Sequence, residues 1–255
     1  MPIDLNSDMG ESFGAYTIGA DDEVLRWVTS ANVACGWHGG DPAVMRRTIQ
    51  RAKELRVRVG AHPSYPDLLG FGRRVMQITR QEARDYILYQ IGALRAFAEA
   101  LGVPLQHVKP HGALYNAAVR DRELSLGIAE GVADAGGNLI LVGLPESEMV
   151  RAGKQVGLRV GREAFGDRAY NEDGTLVSRK MAGSLITDPD AVADRVLGFT
   201  QGVVKSITGK EIRIEADTIC LHGDTPGAGA IARRVRERLG AAGITPRPLG
   251  EFVSR

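Results

Sequence analysis

Short apolar runs alternate with longer helical stretches along the whole chain. Residues 3–5, 31–35, 57–61, 107–109, 139–142, 159–163 and 218–221 read as strands. Between them, residues 22–28, 41–56, 79–101, 121–135, 146–156, 188–206 and 227–239 read as helices, and 247–249 as a possible last strand. Three helix starts are written in side-chain chemistry. Asp41-Pro42 and Asp188-Pro189 place a capping carboxylate before a proline at the first helical position, and Thr79 with Glu82 forms a capping box. Gly102 and Gly136-Gly137 supply stops.

A βαβα alternation demands a mainly parallel sheet covered by helices. Seven or eight such units without a composition break favour one closed β/α barrel, a single domain over residues 1–255, over two domains. A doubly wound open sheet is the alternative. The polar segment 163–180 breaks the rhythm and reads as an excursion over one rim.

Charge and composition exclude several function classes. Lys+Arg is 32 against Asp+Glu 31, a net charge of +1, so no broad basic field gathers nucleic acid or an anionic membrane. Two cysteines, Cys35 and Cys220, are too few for a disulfide framework. The longest apolar stretch, near 139–144, is far short of a membrane span, and the N-terminal residues show no secretory signal. A cytoplasmic protein is expected.

The unusual chemistry follows the strands. Side chains alternate along a strand, so Asp4, Asn6 and Asp8 share a face opposite Ile3 and Leu5. Asn32 and His38 accompany the second strand, and His62 the third. His107, Lys109 and His111 share a face at the fourth, while Cys220, His222 and Asp224 share one at the last barrel strand. Four of the five histidines thus sit at strand C-terminal ends, where parallel α/β folds build their ligand sites. Asp8, His38, His62, Lys109, His111 and His222 are expected around one pocket. His107, earlier in its strand, is expected to be structural.

Asp8, His38 and His62 offer a carboxylate and two imidazoles to a metal, but no His-x-x-x-His or Cys-x-x-Cys spacing supports one. The cysteines read as buried small hydrophobes. No Gly-x-x-x-x-Gly-Lys-Ser/Thr segment is present, and no Gly-x-Gly-x-x-Gly follows the first strand, so no nucleotide site is legible. Lys109 is expected in a pocket with few other cations, meeting either a substrate anion or acidic neighbours.

Several long blocks together resemble the LamB/YcsF family. They include Asp4-Leu5-Asn6-Ser7-Asp8-Met9-Gly10-Glu11, Asn32 through Asp41, Gly60-Ala61-His62-Pro63, Val108 through Tyr115, Glu163 through Tyr170, and Leu221-His222-Gly223-Asp224. The resemblance implies a seven-stranded, distorted β/α barrel similar to the glycoside hydrolase and deacetylase group. It implies hydrolysis of the lactam 5-oxoproline to glutamate, coupled to ATP hydrolysis, with partner subunits B and C. It also brings in the Asp-His-His metal site of the deacetylases of that fold as an analogy. On this footing the expected catalytic set is Asp8, His62, Lys109, His111 and His222. Asp8 or His62 would be the base, Lys109 the charge stabiliser, and His111 or His222 the acid. Asp4, Asn6, Glu11, Asn32, His38, Tyr115, Glu163 and Asp224 are expected to bind substrate, with ATP handled mainly by the partners. The competing functions are a stand-alone metal-dependent deacetylase and a lactam-binding subunit without a catalytic role.

Overall fold

A computed structural model describes residues 2–254; Met1 and Arg255 lie outside the described residues. Seven parallel strands close into a barrel: β1 (Asp4–Met9), β2 (Ser30–Ala34), β3 (Arg58–His62), β4 (Leu105–Val108), β5 (Ile140–Gly143), β6 (Arg159–Phe165) and β9 (Thr218–Cys220). β9 lies between β6 and β1, with Glu163 and Asp4 both in register with Thr218. The open-sheet alternative is therefore excluded, because the two edges of the sheet bond through β9.

The helices pack around the barrel. α2 (Pro42–Glu54) buries Val44, Met45, Ile49 and Ala52 on one face, and α3 (Arg80–Ala100) buries Ile87, Ile91 and Leu94. Their caps form as the sequence dictates. Asp41 accepts from the amides of Ala43 and Val44, and Thr79 and Glu82 complete a capping box. α3 packs on α5 (Arg122–Ala135), followed by α6 (Glu148–Gln155), and α7 (Pro189–Thr200) packs on α8 (Ala228–Ala241). Among the described residues no helix is long and apolar enough to cross a membrane.

Four local expectations are corrected. The first helix, α1, is a single turn (Asp21–Val24). α7 stops at Thr200 instead of running to 206, because Gly202 takes a left-handed φ of 76° and turns the chain into the hairpin β7 (Val203–Lys205) and β8 (Glu211–Arg213). An additional helix, α4 (Gly112–Ala118), follows β4 directly. Residues 247–249 form no strand. A 3₁₀ turn at Leu249–Glu251 folds under the barrel, where Leu249 packs on Ile140 and Val142, the amide of Arg247 donates to Ile3 and that of Gly250 to Gln106. That end is sealed, leaving the C-terminal mouth as the open one.

Candidate active site

A buried polar layer fills the barrel below the mouth, and its hydrogen bonds run in one consistent direction. Gln106 donates to Nδ1 of His107, whose Nε2 donates to Asn32 Oδ1 at 2.6 Å. The Asn32 amide donates to Asn6 Oδ1 and Asp8 Oδ1 at 2.7 and 2.8 Å. Asn6 donates to the Thr218 hydroxyl, and Thr218, Thr29 and Ser30 all donate to Asp4. Asp4, Asn6, Asn32 and His107 are thus consumed in holding one another. Burial pushes the Asp4 carboxyl up to about 6.

Lys109 stands above this layer. Its ammonium lies 2.8 Å from Asp8 Oδ1 and 2.8 Å from Glu163 Oε1, and also donates to Cys220 Sγ at 3.1 Å. Of the two anions expected for Lys109, the acidic neighbours are the ones in place. Burial opposes the charge on Lys109, but the carboxylates of Asp8 and Glu163 outweigh it and hold the ammonium well above its ordinary range. Burial likewise opposes the charge on Asp8. Lys109, 2.8 Å from its Oδ1, works against that and keeps it ionised. Tyr115, on α4, is buried, and burial with nearby Glu163 keeps its phenol neutral.

The mouth above Lys109 opens into a cavity of about 750 Å³. Asp8, Glu11, His62, Lys109, His111, Tyr115, His222 and Asp224 reach its surface, so five expected catalytic residues and three expected binding residues share it. Asp4, Asn6, Asn32 and Glu163 lie beneath and do not line it; His38 sits behind His111 with its ring stacked at 3.8 Å. The expectation of few further cations is wrong. Arg73, Arg120, Arg168, Arg179 and Lys180 line the same cavity. Three of them come from the 163–180 segment, which therefore walls the cavity. Arg168 ties that wall down by donating to Val177 and Ser184, and Tyr170 by accepting from the amide of Phe165. Asp224 is exposed and pairs with Arg73 at 2.8 Å.

Two imidazole environments flank Asp8 at the mouth. His222, just after β9, bonds through Nδ1 to both oxygens of Asp167, at 2.8 and 3.0 Å, and Thr225 donates to the same carboxylate. Burial would raise the Asp167 carboxyl, but His222 and these hydrogen bonds hold it below the usual carboxylate range. Asp167 thus fixes the His222 ring and leaves Nε2 as its remaining proton site. On the other side, Glu11, His38, His62 and His111 converge, with their nearest donor atoms all within 4.8 Å of one another. The analogy-based metal set of Asp8, His38 and His62 does not gather in that form. Asp8 reaches His62, with Oδ2 3.4 Å from Nε2, while its Oδ1 is taken by Lys109 and Asn32; the carboxylate oxygen that meets His38 is Glu11 Oε1, at 3.1 Å.

Asp167, Phe71 and Gly72 were missed as site residues. Phe71 holds a left-handed φ of 54°, which turns its carbonyl to accept from His111 Nε2 at 2.9 Å while its ring meets His38 and His111 edge-on. Gly72 follows at φ 61°, and a Cβ there would sit 2.2 Å from Ser64 Oγ. The readable signal was Gly70-Phe71-Gly72, an aromatic residue between two glycines in a loop after a His-bearing strand.

The comparisons with known proteins are full-length. The model of the LamB/YcsF family matches residues 3–254. A Thermococcus sibiricus protein, named as the A subunit of 5-oxoprolinase, is 57% identical over 99% of this chain and 100% of its own length. Its Pyrococcus abyssi namesake is 55% identical over the same shares. A crystal structure of a lactam utilization protein from Thermus thermophilus superposes with a TM-score of 0.92 at 48% identity, covering 97% of this chain and 99% of that one. By its strand order, by the blocks that line its mouth and by these full-length matches, the chain belongs to the LamB/YcsF family.

Proposed function

We propose that this chain is the lactam-opening subunit of an ATP-dependent 5-oxoprolinase, acting with partner subunits B and C in the cytoplasm. The carrying observation is the pairing, in one cavity, of an ionised Asp8 braced by Lys109 with an Asp167-oriented His222, beneath a wall of arginines. That combination suits an anionic substrate whose C–N bond must be cut with a proton taken from water and one given to nitrogen.

A five-membered lactam is a resonance-stabilised amide, so its carbonyl needs activation. In this proposal ATP is handled by the partners, which phosphorylate the carbonyl oxygen. The arginine wall, with Arg73 and Arg168, then holds the added phosphoryl group and the substrate carboxylate. Asp8 accepts the proton of the attacking water, and Lys109 offsets the charge that develops at the carbonyl carbon's oxygens. The C–N bond breaks as His222 Nε2 gives a proton to the ring nitrogen. A second water hydrolyses the resulting acyl phosphate to glutamate and phosphate. His111 is unsuited to that acid role, because its Nε2 is committed to the Phe71 carbonyl.

The test is ATP-dependent release of glutamate from 5-oxoproline by this chain with and without subunits B and C. Turnover is expected with all three present and negligible ATPase with the chain alone. Lactam-stimulated ATP hydrolysis by the isolated chain, or no turnover in the full mixture, would overturn the proposal.

A further inference from the structure

The imidazole cluster beside the cavity has a proton count that does not close. His62 Nδ1 lies 2.7 Å from the carbonyl oxygen of Lys109, and His111 Nε2 lies 2.9 Å from that of Phe71. A carbonyl oxygen has no proton to give, so each of these nitrogens carries the N–H. In a ring that carries that one proton alone, the other nitrogen is a bare lone pair. Those two lone pairs, His62 Nε2 and His111 Nδ1, face each other at 3.0 Å, inside the buried interior. Glu11 Oε1, also an acceptor, lies 3.3 Å from the same His111 Nδ1 and 4.0 Å from His62 Nε2. Asp8 Oδ2 lies 3.4 Å from His62 Nε2 on its other side. Four acceptor atoms thus converge with no donor among them, which is unfavourable unless a cation lies between. His38 Nε2 joins at 3.1 Å from Glu11 Oε1.

We propose that Glu11, His38, His62 and His111 form a site for one divalent transition metal ion of the zinc class. Three imidazoles and one carboxylate are a donor set that zinc favours over calcium or magnesium. A tetrahedral zinc with ligands at about 2.0–2.1 Å places neighbouring donors about 3.3 Å apart. The contacts of 3.0, 3.1 and 3.3 Å match that edge length, and the 4.0 Å contact lies beyond it. Two of the three imidazoles already have the outward N–H anchored on a backbone carbonyl, which fixes the tautomer that ligation requires. Phe71 adopts a left-handed backbone conformation to provide one of those anchors. The site differs from the deacetylase-type set in using Glu11 for its carboxylate and in adding His111. It stands independently of which substrate enters the cavity.

The alternative occupant is a proton shared between the two rings, and metal stoichiometry separates the two. The chain is stripped with chelator, loaded with zinc, dialysed and assayed by elemental analysis; in parallel, cobalt(II) is added and its visible d–d bands recorded. About one zinc per chain and four-coordinate cobalt bands are expected. In Glu11→Gln/His111→Gln, and separately in His62→Gln, retained zinc should fall by about tenfold or more. Cys220→Ser removes a donor from the second cluster near the mouth, Asp8, Cys220 and His222, and should retain the metal. Wild-type chain that keeps no zinc and gives no cobalt bands would overturn the proposal in favour of the proton, whatever the variants do. So would zinc lost in Cys220→Ser yet kept in the Glu11 and His62 variants.

Discussion

The two sides of the barrel mouth use histidine in opposite ways. His222 stands apart from the other imidazoles, partly exposed, with one nitrogen fixed by Asp167 and the other left as a proton site on the cavity. His38, His62 and His111 are buried together, their rings in mutual contact and their inner nitrogens converging on Glu11. An imidazole that must exchange protons needs access and one orienting partner, whereas imidazoles that must hold something need burial and fixed tautomers. Between the two lies the Asp8–Lys109–Glu163 floor, whose charges are paired within the protein. On the account proposed here, proton traffic belongs to the His222 side and binding to the clustered side.

The largest effect should come from disarming the solitary imidazole. His222→Gln, or Asp167→Asn, should lower kcat for glutamate release by roughly 10²–10⁴-fold while the folded chain survives. If His62→Gln gives that loss and His222→Gln does not, the assignment of the two sides is reversed. Next comes the floor. Lys109→Met leaves Asp8 and Glu163 buried without their cation, so a loss of about 3–5 kcal/mol in urea unfolding is expected. Adding Glu163→Gln should recover part of it. A Lys109→Met chain of near-normal stability would show that the floor's charges are not held by this pair.

A smaller effect is pH-dependent. Burial, then Lys109, push the His107 imidazole down to about 3, from an unfolded value near 6.5. The unfolded chain therefore binds the extra proton first. His107's contribution is fully present above about pH 6.5 and lost as pH falls toward 3, at about 1.4 kcal/mol per pH unit. His107→Gln should flatten the acid limb of the stability profile by about that slope; an unchanged limb would place His107 outside the titrating set. The smallest effect is at the rim. Asp224→Asn breaks an exposed pair with Arg73 and should cost under about 1 kcal/mol of stability.

Much of this arrangement was legible because strand alternation and strand ends are local properties. The period of two placed Asp4, Asn6 and Asp8 on one inward face, and the capping chemistry at Asp41, Thr79 and Asp188 fixed three helix starts. What stayed hidden depends on distant partners. α4 begins at a glycine without a side-chain cap and buries four of its seven residues, so packing defines it more than propensity does. Gly202 gives a stop signal that an apolar run on both sides masks. Asp167 becomes an orienting carboxylate only because β6 and β9 pair, which brings it to His222, 55 positions away. The arginine wall is likewise assembled by the 163–180 excursion folding over the mouth, and no local period marks that.

The central claim is that lactam opening takes place in this chain's own cavity while ATP is consumed elsewhere in the complex. It is tested by following glutamate and ADP together in a complex assembled with Asp8→Asn, which keeps the side chain's shape and removes the water-activating charge. Lactam-stimulated ADP formation should persist while glutamate release falls by about a hundredfold or more. Glutamate and ADP produced in the wild-type ratio and at the wild-type rate would contradict it.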